Sequence, residues 1–141
     1  CFLLEEESGL FTGDNVLGVG TTVIPSQTGD LRDYLTSLER LRALEPARIF
    51  PAHGPAVENG GLKIQEYIGH RLEREAQIIA GLEEGADGVI ALVKLIYAAY
   101  PESLHAAAGQ SVTSHLRKLE AEGRVSSEPG DSPDKLRWRL H

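Results

Sequence analysis

Short strand-like runs alternate with long helical patterns up to Gly85-Ala86-Asp87-Gly88, and beyond Val89 only helical patterns follow until a basic tail. This change of texture constrains the fold more than any other feature. Alternating apolar runs and 3.6-residue periodicity describe strands and amphipathic helices in turn, whereas uninterrupted helical spacing describes a helical module. The chain therefore reads as an α/β domain over residues 1–85 and a second, mainly helical domain over 86–141.

Within the first part, Cys1 to Leu4 and Gly9 to Thr12 are apolar runs joined by Glu5-Glu6-Glu7-Ser8, which predicts a hairpin at a sheet edge. A glycine-rich loop, Gly13 to Gly20, leaves the second strand. From Asp30, a predicted N-cap, Leu31, Tyr34, Leu35, Leu38, Leu41 and Leu44 recur at helical spacing until Pro46. Ala47 to Phe50 is too brief for a helix between two prolines and predicts a strand that leads into the rigid Pro51-Ala52-His53-Gly54-Pro55. A long helix follows Gly60 and Gly61, carrying Leu62, Tyr67, Ile68, Leu72, Ala76, Ile79 and Leu82 to Gly85.

In the second part, Val89, Leu92, Val93, Ile96 and Tyr97 predict one helix, Ser103 to Ala108 a short second one, and Ser111 the N-cap of a third that carries Val112, Leu116 and Leu119 and ends at Gly123. Val125 to Ser127 and Leu136 to Leu140 flank a turn-rich loop and predict a hairpin. Three helices and a hairpin in this order suggest a winged helix.

The net charge of -7 argues against a chain held to nucleic acid mainly by neutralising many phosphates. No run approaches the roughly 20 apolar residues of a membrane span, and Glu5 to Glu7 stand where a signal peptide would be basic. One cysteine makes no internal disulfide, as suits a reducing compartment. The chain lacks methionine and opens on Cys-Phe-Leu-Leu, a strand already under way, so a fragment is expected.

Two residues stand where α/β folds bind ligands. Asp14 follows an apolar strand directly, and His53 leaves the next one between prolines that restrict its loop. Each has an ordinary reading, an Asx turn for the aspartate and a carbonyl-bonded loop histidine for the other. Together, a carboxylate and an imidazole at the C-terminal ends of strands would converge on one sheet edge and form part of a metal site.

Leu10-Phe11-Thr12-Gly13-Asp14 and Phe50-Pro51-Ala52-His53-Gly54-Pro55 resemble the last two metal-ligand motifs of the metallo-β-lactamase superfamily. The likeness continues through Gly20-Thr21-Thr22, through Lys63 to Arg71 with its Tyr67-Ile68-Gly69-His70-Arg71, and into Glu102 to His105 and His115 to Glu120. Over essentially its whole length the chain resembles the β-lactamase-like protein 2 family. The resemblance implies the C-terminal half of an αββα sandwich, then a winged-helix domain. It implies two divalent metal ions, usually zinc, with Asp14 bridging them and His53 binding one. Such ions acidify a water and stabilise charge developing at a carbonyl or phosphorus.

The superfamily's His-x-His-x-Asp-His cluster is missing from these residues. Activity is therefore expected of an intact parent, and this chain alone is expected to bind metal weakly and not to catalyse. By resemblance the helix bearing His70 and Arg71 passes the active-site mouth, so Arg71 is a candidate phosphate or carboxylate ligand and His70 its neighbour; a solvated helix face is the alternative. Thr12 and Asn15 are candidates to orient the Asp14 carboxylate, or simply turn residues.

Family members cut single-stranded RNA, and close relatives hydrolyse acyl thioesters, so the partners implied are single-stranded RNA or a small acyl substrate, with homo-oligomers left open. A competing reading is a non-enzymatic regulator in which Val112 to Glu122 is a recognition helix presenting Ser114, His115, Arg117 and Lys118, aided by Lys135, Arg137, Trp138 and Arg139. Arginine outnumbers lysine ten to four, compatible with a GC-rich bacterial source and a cytoplasmic protein; an animal relative would be expected in mitochondria.

Overall fold

The computed structural model describes residues 1–18, 30–130 and 136–141. Gly20-Thr21-Thr22 and Lys135, named above, lie outside the described residues. The order of elements is β1 (Phe2–Leu4), β2 (Gly9–Gly13), α1 (Leu31–Ala43), β3 (Arg48–Pro51), α2 (Gly60–Glu83), α3 (Val89–Ile96), α4 (His105–Ala121), β4 (Val125–Pro129) and β5 (Leu136–Leu140). Among the described residues no helix is long and apolar enough to cross a membrane.

Packing divides the described residues into two compact units, 1–18 with 33–72, and 30–32 with 73–130 and 136–141. The division falls inside α2, a continuous helix of 24 residues, whereas the texture change after Gly85 marks where that helix has ended. Gly85 takes φ +102°, a left-handed conformation that favours glycine just beyond a helix.

In the first unit the expected hairpin forms. β1 pairs antiparallel with β2, Leu3 opposite Leu10, through a one-turn 3-10 helix at Glu5–Glu7 closed by Ser8. β3 lies parallel to β2, Leu10 opposite Ile49 and Phe11 opposite Phe50. The two-residue period of strands sends one pair each way. Leu10 and Ile49 are buried, while the Phe11 and Phe50 rings stack on the other face with centroids 5.0 Å apart.

α1 starts as predicted, with the Asp30 carboxylate accepting the Arg32 amide at 2.8 Å. Its apolar stripe Leu31, Tyr34, Leu38 and Leu41 is buried, and α2 buries Ile64, Tyr67 and Ile68. Three leucines assigned to these stripes, Leu44, Leu62 and Leu72, are exposed instead. Leu44 falls beyond the end of α1, at Ala43.

The second unit has a core of Ile78, Leu92, Val93, Ala108, Val112, Leu116, Leu119, Val125 and Trp138. Here the sequence reading needs correction: the short second helix and the third are one helix, α4, and Ser111 lies inside it. Ala108, Val112, Leu116 and Leu119 form a continuous buried stripe at helical spacing, which outweighs the penalty of about 1 kcal/mol for Gly109 in a helix interior. The hairpin forms as expected, β4 antiparallel to β5 with Val125 opposite Leu140. Trp138 is core, and its amide donates to the Asp87 carbonyl at 2.7 Å.

Candidate metal centre

β2 and β3 run parallel, so both chains leave the sheet at the same edge, and Asp14 and His53 stand at those exits. His53 Nε2 lies 3.3 Å from Asp14 Oδ1, and both side chains are exposed, at 76% and 73%. Bringing the pair together is a backbone arrangement. The Ala52 amide donates to the Gly13 carbonyl at 3.0 Å, and the Gly18 amide to the His53 carbonyl at 3.1 Å, so the two loops are zipped on either side of the pair.

Gly18 is required for that zipper. A Cβ there would sit 2.3 Å from the Pro55 carbonyl oxygen and 2.7 Å from its nitrogen, both backbone atoms that cannot swing aside. Gly13 takes φ +57°, turning the chain from β2 into the Asp14 loop.

Two tyrosines brace the loop that follows Asp14. The Tyr34 hydroxyl donates to the Asn15 carbonyl at 2.6 Å, and the Tyr67 hydroxyl accepts the Leu17 amide at 2.9 Å. Both tyrosine side chains are buried, and the bonds themselves lie part-buried at the loop. Sequence reasoning took Tyr34 and Tyr67 as members of apolar stripes, and Tyr67 also as part of the Tyr67-Ile68-Gly69-His70-Arg71 likeness, without a role for either hydroxyl. A tyrosine at a core position carries a hydroxyl that usually finds a partner, and that was the available signal.

The other candidates occupy definite places. Thr12 is buried, and its hydroxyl donates its single proton to the Val16 carbonyl at 2.9 Å, so it shapes the loop without donating to the Asp14 carboxylate. The Asn15 amide nitrogen lies 3.2 Å from Cys1 Sγ, and its backbone amide closes a turn onto the Thr12 carbonyl. His70 Nε2 is 3.7 Å from Glu66 Oε1, one helical turn earlier. The Arg71 guanidinium lies 5.5 Å from the centroid of the Tyr34 ring, whose hydroxyl holds the loop beside Asp14.

A carboxylate oxygen and an imidazole nitrogen, adjacent and open to solvent, suit a divalent cation such as zinc. They are two donors. No group of three or more His, Cys, Asp or Glu side chains able to hold a metal occurs among the described residues.

The face assigned to nucleic acid reads differently in the structure. Ser114 and His115 are buried, with His115 Nδ1 2.8 Å from the Ser111 carbonyl. Lys118 Nζ is 2.7 Å from both Glu75 and Glu122. Arg139 pairs with Glu128 at 2.8 Å, and Arg137 lies 3.9 Å from Asp87. Helical spacing places residues on a face, but it does not say which face the second unit's core covers.

Residues 89–138 match the β-lactamase associated winged helix domain. The chain is 40% identical over 125 residues to a β-lactamase-like protein 2 homolog of Caenorhabditis elegans, covering 88% of this chain and 41% of that protein. A lactamase-like protein of Aspergillus niger, adaB, is 36% identical over 98% of this chain and 46% of its own length. Among solved structures the chain is similar to a metallo-β-lactamase family protein from Thermus thermophilus, with TM-score 0.79 and 25% identity over 99% of this chain and 44% of that one. A β-lactamase domain protein from Burkholderia ambifaria shares the fold at TM-score 0.81 and 22% identity, over 97% and 42% of the two chains. The chain thus spans less than half the length of these relatives.

Proposed function

We propose that this chain is part of a metallo-β-lactamase superfamily hydrolase and supplies two ligands, Asp14 and His53, to its divalent metal centre. The observation that carries the reading is the 3.3 Å approach of these two side chains at the common exit of parallel strands. Asp14, through its two carboxylate oxygens, and His53, through its imidazole, would hold divalent ions at this edge. When bound, zinc or a similar ion acts as a Lewis acid and lowers the pKa of water at the site.

The residues of this chain hold that constellation still. The loop zipper ties the His53 backbone to Gly18, and Tyr34 and Tyr67 tie down the turn after Asp14, so the backbone that carries both donors is ordered. Arg71, 5.5 Å from the centroid of the Tyr34 ring, is the residue proposed to pair with a substrate phosphate or carboxylate. Two donors fall short of the three or four protein ligands usual per zinc. The remaining donors are assigned to sequence outside these 141 residues, in keeping with relatives more than twice as long. The 141 residues alone are inactive in this reading.

The substrate proposed is single-stranded RNA, with an acyl thioester as the alternative that the assay separates. The longer protein is expected to cleave a fluorescent single-stranded RNA, and to lose cleavage with chelator and with Asp14→Ala or His53→Ala. Thioester hydrolysis without RNA cleavage would reassign the substrate. Calorimetric titration of the 141-residue chain with zinc is the test of the shared centre: tight binding of two equivalents would refute it.

A further inference from the structure

The second unit carries a groove far from polar in character, and its three walls follow from helix and strand periods. Ile90 and Lys94 lie one turn apart on α3, Thr113 and Arg117 one turn apart on α4, and Leu136 and Trp138 two residues apart on β5. The groove encloses about 740 Å³, within the roughly 300–1,000 Å³ typical of small-molecule sites. Ile90 is 59% exposed and Leu136 37%, so apolar surface is presented to whatever enters.

Its charge is selective. Over residues 73–130 and 136–141, five of the seven lysines and arginines are engaged: Lys118 and Arg124 with Glu75, Arg137 with Asp87, Arg139 with Glu128, and Arg74 with the Tyr97 ring and Gln77. Among these described residues, Lys94 and Arg117 are the two without a hydrogen bond, ion pair or ring contact, and both line this groove. No carboxylate is among the described residues lining it.

We propose that this groove binds a small amphipathic carboxylate, its aliphatic or aromatic body against Ile90, Leu136 and Trp138 and its anionic head between Lys94 and Arg117. An apolar wall with a few convergent polar groups is the usual design of such sites. Nucleic acid fits less well: Trp138 lines the groove but is only 2% exposed, too little surface to stack a base, and two cations are few for a phosphate track. The proposal does not depend on Asp14 or His53.

Trp138 is the only tryptophan in the chain, so its emission reports the groove directly. The test titrates the 141-residue chain with dodecanoate below its micelle concentration. Saturable change in Trp138 emission is expected, with affinity about tenfold weaker in Lys94→Gln/Arg117→Gln, the size of one or two lost charge-assisted contacts. Both substituted residues are exposed. Ile90→Gln weakens binding as well, and dodecyltrimethylammonium fails to saturate. The proposal is overturned if dodecanoate gives no saturable change, if the double variant binds as tightly, if the cationic detergent matches dodecanoate, or if a single-stranded RNA oligonucleotide displaces it.

Discussion

Glu75 is the residue whose loss the second unit should tolerate least among its charged groups. Its carboxylate, only 11% exposed, takes Lys118 Nζ at 2.7 Å and Arg124 at 3.2 Å, and the Lys118 side chain is itself 11% exposed. Glu75→Gln keeps the volume and removes the charge. Breaking a buried pair costs about 3–5 kcal/mol, because a desolvated charge is left behind. Two features reduce that here. Lys118 keeps Glu122 at 2.7 Å, and Arg124 is half exposed, so water can take over its solvation. The expected loss is therefore about 2 kcal/mol, which lowers a urea midpoint by roughly 1 M at a slope of about 2 kcal/mol/M. Buried Trp138 gives the emission signal for the unfolding of this unit. Glu122→Gln, at a partner 31% exposed and one turn away, should cost about 0.5 kcal/mol or less. Glu75→Leu/Lys118→Met should recover most of the stability lost in Glu75→Gln, since no orphaned ammonium remains. The reasoning fails if Glu75→Gln stays within about 0.5 kcal/mol of the parent, or if Glu122→Gln costs as much.

Burial pulls the Lys118 ammonium toward deprotonation, but hydrogen bonds to Glu122 and Glu75 and their charges overcome it, leaving the group above its ordinary value of 10.5. A folded-state pKa above the unfolded one stabilises fully below the unfolded value and less as pH climbs through the folded one; the urea midpoint should hold from pH 7 to 9, fall above about 10, and lose part of that fall in Lys118→Met. Gly18→Ala should open the zipper between the Asp14 and His53 loops, destabilise the first unit by about 2 kcal/mol and weaken zinc binding in the longer protein, read by thermal unfolding and calorimetry; unchanged values for both would count against the role given to Gly18. Tyr67→Phe strips the Leu17 amide of its acceptor and should cost about 1–2 kcal/mol, with faster hydrogen exchange at that amide as the local signature.

Much of this fold was legible because its signals are local. Pro46 and Pro51 bound a strand by removing donors and fixing φ, Asp30 caps a helix through its own side chain, and the alternation of Leu10, Phe11 and Thr12 sorts them to two faces. Asp14 and His53 were legible for the same reason, since strand ends are read from where apolar runs stop. The helix break expected before Ser111 was misread because serine and glycine also punctuate chains, and only packing of Ala108 through Leu119 on one core decided that the helix continues.

The sequence by itself determined most of the elements, their order and the chemistry available at each strand exit, α4 being the exception, because periodicity, capping and proline geometry act within a few residues. Tertiary structure alone decided that Asp14 and His53 meet at 3.3 Å, that Tyr34 and Tyr67 turn their hydroxyls onto one loop, and that Lys118 is buried beside Glu75 while Lys94 and Arg117 face a groove. Each of those outcomes depends on distances between residues far apart along the chain, which spacing in the sequence does not encode.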